Sequence, residues 1–154
     1  MTTDAHKEDV KRALHRAALL YRHFAETLDR ELGREKALEL IAKAVWAYGT
    51  AVGTEARERT AAAGLPLTPE HYSDDLPSVG WTSRKTHVDG ETVTDITACA
   101  FAEEWRDMDP ALARPYCFVD QSKIEAFNPQ YTYVHLMNRI DGDAFCRLAV
   151  RKKS

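Results

Sequence analysis

Apolar residues recur early in the chain at alternating spacings of four and three: Val10, Leu14, Ala17, Tyr21, Phe24 and Leu28. That spacing predicts one helix with a single apolar stripe over about residues 3–32. Gly33 is a natural break, and a second stripe follows at Leu38, Ile41, Val45, Tyr48 and Val52, predicting a helix over about 34–63. Gly64 and Pro66 end it. Two long helices with so short a joint predict an antiparallel hairpin. Gly49 and Gly53, four apart, each cost about 1 kcal/mol against Ala in a helix interior. They clear one face for a close backbone, so helix packing is the first reading. Trp46, three before Gly49, raises a pocket wall as the second.

The period then changes. "GLPLTPEHYSDDLPSVG" reads as loop with a short helical turn, Thr68-Pro69 serving as cap and first helical residue. "WTSRKTHV" and "ETVTDITAC" read as strands joined by Asp89-Gly90, the strongest short hairpin signal. With that turn Val88 faces Glu91, and Arg84 falls opposite Asp95, an opposite-charge pair that supports the register. Cys99 then shares a face with Asp95 and Thr97. Both faces of this hairpin are polar enough to line something wet. Asp109-Pro110 predicts the start of a helix running through "ALARPYCFVDQSKIEAF", with Pro115 as an early defect and Asn128-Pro129 as its stop. "QYTYVHLMNRI" and "AFCRLAVRK" follow, joined by a second Asp-Gly pair, Asp141-Gly142.

If Asp141-Gly142 is a two-residue turn, Met137 faces Cys146. Tyr131, Tyr133, His135, Met137, Cys146, Leu148 and Val150 then share one face, and Val134, Leu136, Asn138, Phe145 and Arg147 the other. His135 and Cys146 become diagonal neighbours. A slip of one residue would reverse the whole set. The order α-α-β-β-α-β-β predicts an α+β fold: an N-terminal helical hairpin packed on an antiparallel sheet made of two β-hairpins, with a further helix between the hairpins. One domain is expected, the helical hairpin at about 3–63 and the α+β part at about 66–154.

Composition narrows the function classes. The chain has 154 residues, 44% hydrophobic and 29% charged, with net charge −3. That is ordinary for a soluble globular chain and unlike a nucleic-acid binder, which needs a basic face. No run of about 18 apolar residues exists, so no membrane span is expected. The first residues show no apolar segment of a secretory signal. Three cysteines, at 99, 117 and 146, make an odd count. Reduced thiols in a cytoplasmic protein are the expectation.

Candidate chemistry sits on Cys117, Asp120 and His135. Cys117 lies in the first turns of its predicted helix, which favours a thiolate. Asp120, three residues on, shares its face and suits proton acceptance or a cationic substrate. His135 suits either a satisfied sheet histidine or a catalytic base. For each cysteine the plain reading is core packing. A metal site is the other reading, with Cys99, Cys117, His135 and Cys146 as its ligand set, although no two of them have local ligand spacing. No cofactor is otherwise expected. Trp105, at helical spacing from Phe101, reads as core, and Glu103 and Glu104 as solvated.

The segments "CAFAEEWRDMDPALARPYCFVDQSKIEAFNP" and "IDGDAFCRLAVRKK" together resemble the L-2-amino-thiazoline-4-carboxylic acid hydrolase family. The pattern is Cys99 with Trp105, Tyr116-Cys117, Asp120, Asn128-Pro129, Gly142-Asp143 and Cys146. The N-terminal helix pair with Trp46, Gly49 and Gly53 is similar too. The resemblance implies a cytoplasmic bacterial-type hydrolase that opens a cyclic isothiourea, amidine or amide. Such chemistry needs a base, a proton donor, a carboxylate beside the amidinium and a cation for the substrate carboxylate. Candidates are Cys117, Asp120 and His135 for catalysis, and Cys99, Trp105, Asn128, Arg139 and Cys146 for substrate binding, with Arg139 as the carboxylate clamp. Two alternatives stay open: a non-catalytic thiol-lined domain that binds a small molecule or metal, and an isomerase or lyase on the same fold. The expected partner is a small molecule. The apolar helix stripes fit a homo-oligomer as readily as a core.

Overall fold

The computed structural model describes residues 4–73 and 79–154. Two helices of 29 residues open it, α1 (Asp4–Leu32) and α2 (Arg34–Ala62), joined at Gly33. Gly33 takes φ 80°, a left-handed conformation that suits a residue without Cβ. A 3-10 turn (Pro69–His71) follows. Part of the loop expected between Gly64 and Gly80, residues 74–78, lies outside the described residues. Next come β1 (Trp81–Val88), β2 (Glu91–Cys99), α3 (Ala100–Glu104), α4 (Pro110–Ala113), α5 (Phe118–Phe127), β3 (Tyr131–Met137) and β4 (Cys146–Lys152). The four strands form one antiparallel sheet in the order β1-β2-β4-β3. The fold is α+β, as the alternation of helical and strand periods predicts.

α5 packs against α2 through Gly49 and Gly53. A Cβ on Gly49 would stand 1.8 Å from the Ser122 hydroxyl, and one on Gly53 would stand 2.1 Å from the Lys123 carbonyl. Packing is therefore what the two glycines serve. Trp46, the proposed pocket wall, is exposed instead. The helix expected through residues 110–127 is divided. The Asp109 carboxylate accepts from the Ala111 N–H at 2.9 Å and caps α4. Pro115 then sits in a 3-10 turn, Arg114–Cys117, before α5 begins. A proline lacks the N–H an α-helix needs at that point, so the chain tightens and re-aims.

The first hairpin has the predicted register: Arg84 pairs with Asp95 and Val88 with Glu91, around Asp89 (φ 50°) and Gly90 (φ 82°). That is the double left-handed turn an Asp-Gly pair favours. Near its open end, however, Ala98 pairs with Thr82 and Ile96 with Ser83, leaving Thr97 as a bulge. The second hairpin keeps the predicted pairs Tyr133–Val150 and His135–Leu148, then departs. Met137 pairs with Arg147, not Cys146, and Leu136 is left over. The turn is longer than two residues: Arg139–Asp141 form a 3-10 turn capped by Asn138, and Gly142 closes it at φ 100°.

Each bulge exchanges the faces of the residues beyond it. Cys99 therefore parts from Asp95 and joins Ile96 on the inner face. Asn138, expected on the outer face, turns inward. Asp95 lies on the other face, 1% exposed, where Arg147 grips it through two hydrogen bonds of 2.6 and 2.9 Å. This fork from the neighbouring strand, more than the Arg84 charge, holds the Asp95 carboxyl below its usual range. Among the described residues no helix is long and apolar enough to cross a membrane.

Candidate functional site

A cavity of about 1270 Å³ opens between the helical hairpin, α3, α5 and the inner face of the sheet. Its walls are mostly apolar. Leu14, Leu20, Tyr21, Phe24 and Leu28 come from α1, Ile41, Val45 and Tyr48 from α2, and Ile96 and Leu148 from the sheet. A tight aromatic group of Tyr21, Phe101, Trp105 and Tyr116 backs one side, with ring centroids 4.7–5.3 Å apart. The Trp105 indole N–H donates to the Ala18 carbonyl at 3.0 Å. Trp105 is thus buried and fixed to α1, and its ring contributes wall.

Polar chemistry concentrates around Asp120. It stands on the first turn of α5, and its Oδ2 lies 3.4 Å from Nε2 of His135 on β3. The His135 side chain is only 11% exposed. Helix and strand meet here because α5 packs on α2 by one side, leaving the Asp120 side toward β3. Cys99, Cys117 and Cys146 all line the same cavity. The Asp120 charge reaches each of them and opposes ionisation. All three are free thiols.

The expected thiolate at Cys117 is reversed. Cys117 precedes α5 as its cap residue, and burial pushes its thiol up to about 12. Loss of water around the sulfur outweighs the field of the helix end. The Asn138 amide beside it works in the opposite direction without offsetting the burial. Burial likewise raises Cys99 and Cys146. The Cys146 sulfur accepts the Arg139 backbone N–H at 3.4 Å. Among the described residues no group of three or more His, Cys, Asp or Glu side chains comes together in a way that could hold a metal ion. The sulfurs of Cys99, Cys117 and Cys146 and the His135 imidazole thus share a wall without forming a ligand set.

Two other candidates stand elsewhere. The Asn128 amide donates to the Leu67 carbonyl at 2.7 Å, and its oxygen accepts from Gln130 N–H at 2.9 Å. Both its ends tie the loop after α5, outside the cavity lining. Arg139 sits in the turn after β3, and its guanidinium lies 2.7 Å from Glu103. It is absent from the lining and already paired. Glu103, expected to be solvated, is held below its usual range chiefly by that hydrogen bond.

Two lining residues escaped the sequence reading. Lys123, one turn beyond Asp120 on α5, is buried and, among the described residues, is the only Lys or Arg of the lining. Asn138 is 1% exposed, its Oδ1 accepts the Ile140 N–H at 2.9 Å, and its backbone N–H donates to Asp143 at 2.7 Å. Its Nδ2 completes no well-formed hydrogen bond, and the Cys117 thiol is the polar group beside it. A buried amide donor with only a weak thiol beside it can serve a stronger acceptor. The signal for Asn138 was its place before Arg-Ile-Asp-Gly, where an Asn caps a turn by bonding two residues on.

No curated protein and no solved structure matches the chain. A family model does match, over residues 12–150, nearly the whole chain and spanning every element that lines the cavity. The chain belongs to the L-2-amino-thiazoline-4-carboxylic acid hydrolase family.

Proposed function

We propose that this protein is a hydrolase that opens a small cyclic amidine or isothiourea of the 2-amino-thiazoline-4-carboxylate kind. One observation carries the reading. The Asp120–His135 pair, 3.4 Å apart, lies in a largely apolar cavity that the Asn138 amide also lines. Family membership supports the substrate class.

The chemistry adds one water across the ring C=N bond. The Asp120–His135 pair takes a proton from the water as its oxygen bonds to the amidine carbon. The ring nitrogen gains a proton, the tetrahedral carbon collapses to a carbonyl, and the ring C–N bond breaks. Both water protons end on the departing nitrogen, which leaves as an amine. Asn138 Nδ2 donates to the oxygen as charge builds there. Cys117 acts as a neutral thiol wall. The reaction would be read by incubating the protein with L-2-amino-thiazoline-4-carboxylate and following the appearance of the ring-opened amine, one water heavier than the substrate. Turnover that Asp120→Asn abolishes is expected. Failure to open this ring or any related thiazoline, hydantoin or cyclic amidine would sink the reading.

A non-catalytic binding domain is the second reading, favoured by the raised thiols, which remove the most reactive nucleophile. A ligand recovered chemically unchanged after prolonged incubation would support it.

A further inference from the structure

The cavity is larger and more apolar than a five-membered ring carrying a carboxylate requires. Drug-sized ligands occupy pockets of about 300–1,000 Å³, and this one reaches about 1270 Å³. It also has direction. The polar end, at His135 and Asn138, is nearly closed to solvent. The lining also takes in the exposed side of α1, where Leu20 is 60% and Phe24 63% exposed. Tyr48 of α2 stands exposed in the same lining. None of the α1 residues in that lining is charged: Leu20, Tyr21, Phe24, Ala25 and Leu28 all belong to it. Large apolar side chains with this much exposure gain little from folding, so their common orientation over one cavity calls for an occupant.

From this gradient we infer that the natural substrate is amphiphilic. A polar amidine or amide head sits against Asp120, His135 and Asn138, and an aliphatic or aromatic extension runs along Tyr21, Phe24 and Leu20 to the mouth between α1 and α2. The head group rests on the functional reading above, whereas the tail groove stands on the cavity's shape and lining alone. Each methylene buried in the groove adds affinity without touching the chemistry. For a half-open groove the gain is about two- to fourfold per CH₂.

Two probe series separate the parts. The n-alkyl amidines from acetamidine to dodecanamidine carry head and tail; neutral n-alkanols of the same lengths carry the tail only. Binding is followed by calorimetry. Both series are expected to tighten about two- to fourfold per CH₂ until the groove is full. Phe24→Asp and Leu20→Asp, at exposed positions, are expected to flatten that slope. Amidines are expected to bind at least tenfold tighter than alkanols of equal length, a margin lost in Asp120→Asn. A chain-length slope without that margin supports the groove and overturns the head-group reading. No slope in either series, or a slope that survives both α1 variants, overturns the groove. So does a wild-type dimer that Phe24→Asp converts to a monomer while alkanols fail to bind, because a second copy then covers the α1 face.

Discussion

The two long helices have equal length and similar apolar stripes, yet the fold uses them in opposite ways. α2 buries Ala37, Ile41, Val45, Gly49, Gly53, Ala56 and Thr60, a continuous line of mostly small side chains. α1 fully buries only Ala18 and Ala25. Its larger residues, Leu14, Tyr21 and Leu28, pack at the edge of the core, and Phe24 stays in the open. Small residues let backbones touch, so α2 is the scaffold on which α5 is set. Large residues hold neighbours apart, so α1 forms the wall of a space. An apolar stripe predicts that a helix will face something, and side-chain size decides whether that is another backbone or a cavity.

The sharpest way to break this contrast is Gly53→Val. Its Cβ would overlap the Lys123 carbonyl, and backbone cannot step aside as a side-chain tip can. A loss of about 3 kcal/mol or no folded protein is expected, read from the denaturant midpoint. Activity falls with it, because Asp120 rides on the displaced helix. A variant of wild-type stability would remove α2 from its scaffold role.

Asp120→Asn tests the other side of α5. It keeps the shape and removes the charge, so the fold should hold while turnover drops about 10²- to 10⁴-fold. His135→Gln should cost a similar factor, and the double variant little more, since the two side chains act as one unit. Independent, multiplying losses would show that the pair is not the proton acceptor.

Cys117→Ser is expected to act on pH dependence more than on rate. The folded thiol ionises at about 12 against an ordinary value of 9.0. Between these values the unfolded chain has released a proton that the folded chain still holds. Stability from this group is therefore fully present below 9.0 and falls as pH rises toward 12. The variant should flatten that alkaline limb in urea titrations and keep turnover within about tenfold of wild type, since the ionised nucleophile is not in use. Rapid alkylation of Cys117 at neutral pH would contradict its buried, neutral state.

The smallest effect is expected on α1. Phe24→Ala removes an exposed ring and should change stability by no more than about 0.5 kcal/mol, against the loss at Gly53. A much larger drop would mean that α1 carries core and that the contrast between the helices is overstated.

Local signals were legible where one stretch of chain settles its own geometry. The strand spans 81–88 and 91–99, the Asp89-Gly90 turn, the Asp109 cap and the clearing made by Gly49 and Gly53 all follow from neighbouring residues. Much of the candidate site was legible too, because Cys99, Cys117, Asp120, His135 and Cys146 line one cavity. The faces beyond the bulges were not. Side chains alternate along a strand, so one unpaired residue reverses every assignment after it. Nothing local distinguishes Thr97 or Leu136 as that residue, since the choice depends on how β2 and β4 meet and how the turn at 139–141 packs.

The sequence by itself determined the two long helices, the four strand segments in outline, where the first hairpin turns, and which family the chain resembles, since these depend on spacing and turn chemistry within a few residues. Only the tertiary structure decided that Asn138 points inward, that Asn128 and Arg139 are engaged elsewhere and that the Cys117 thiol stays neutral. Each of those outcomes is set by partners and solvent exclusion that distant segments supply.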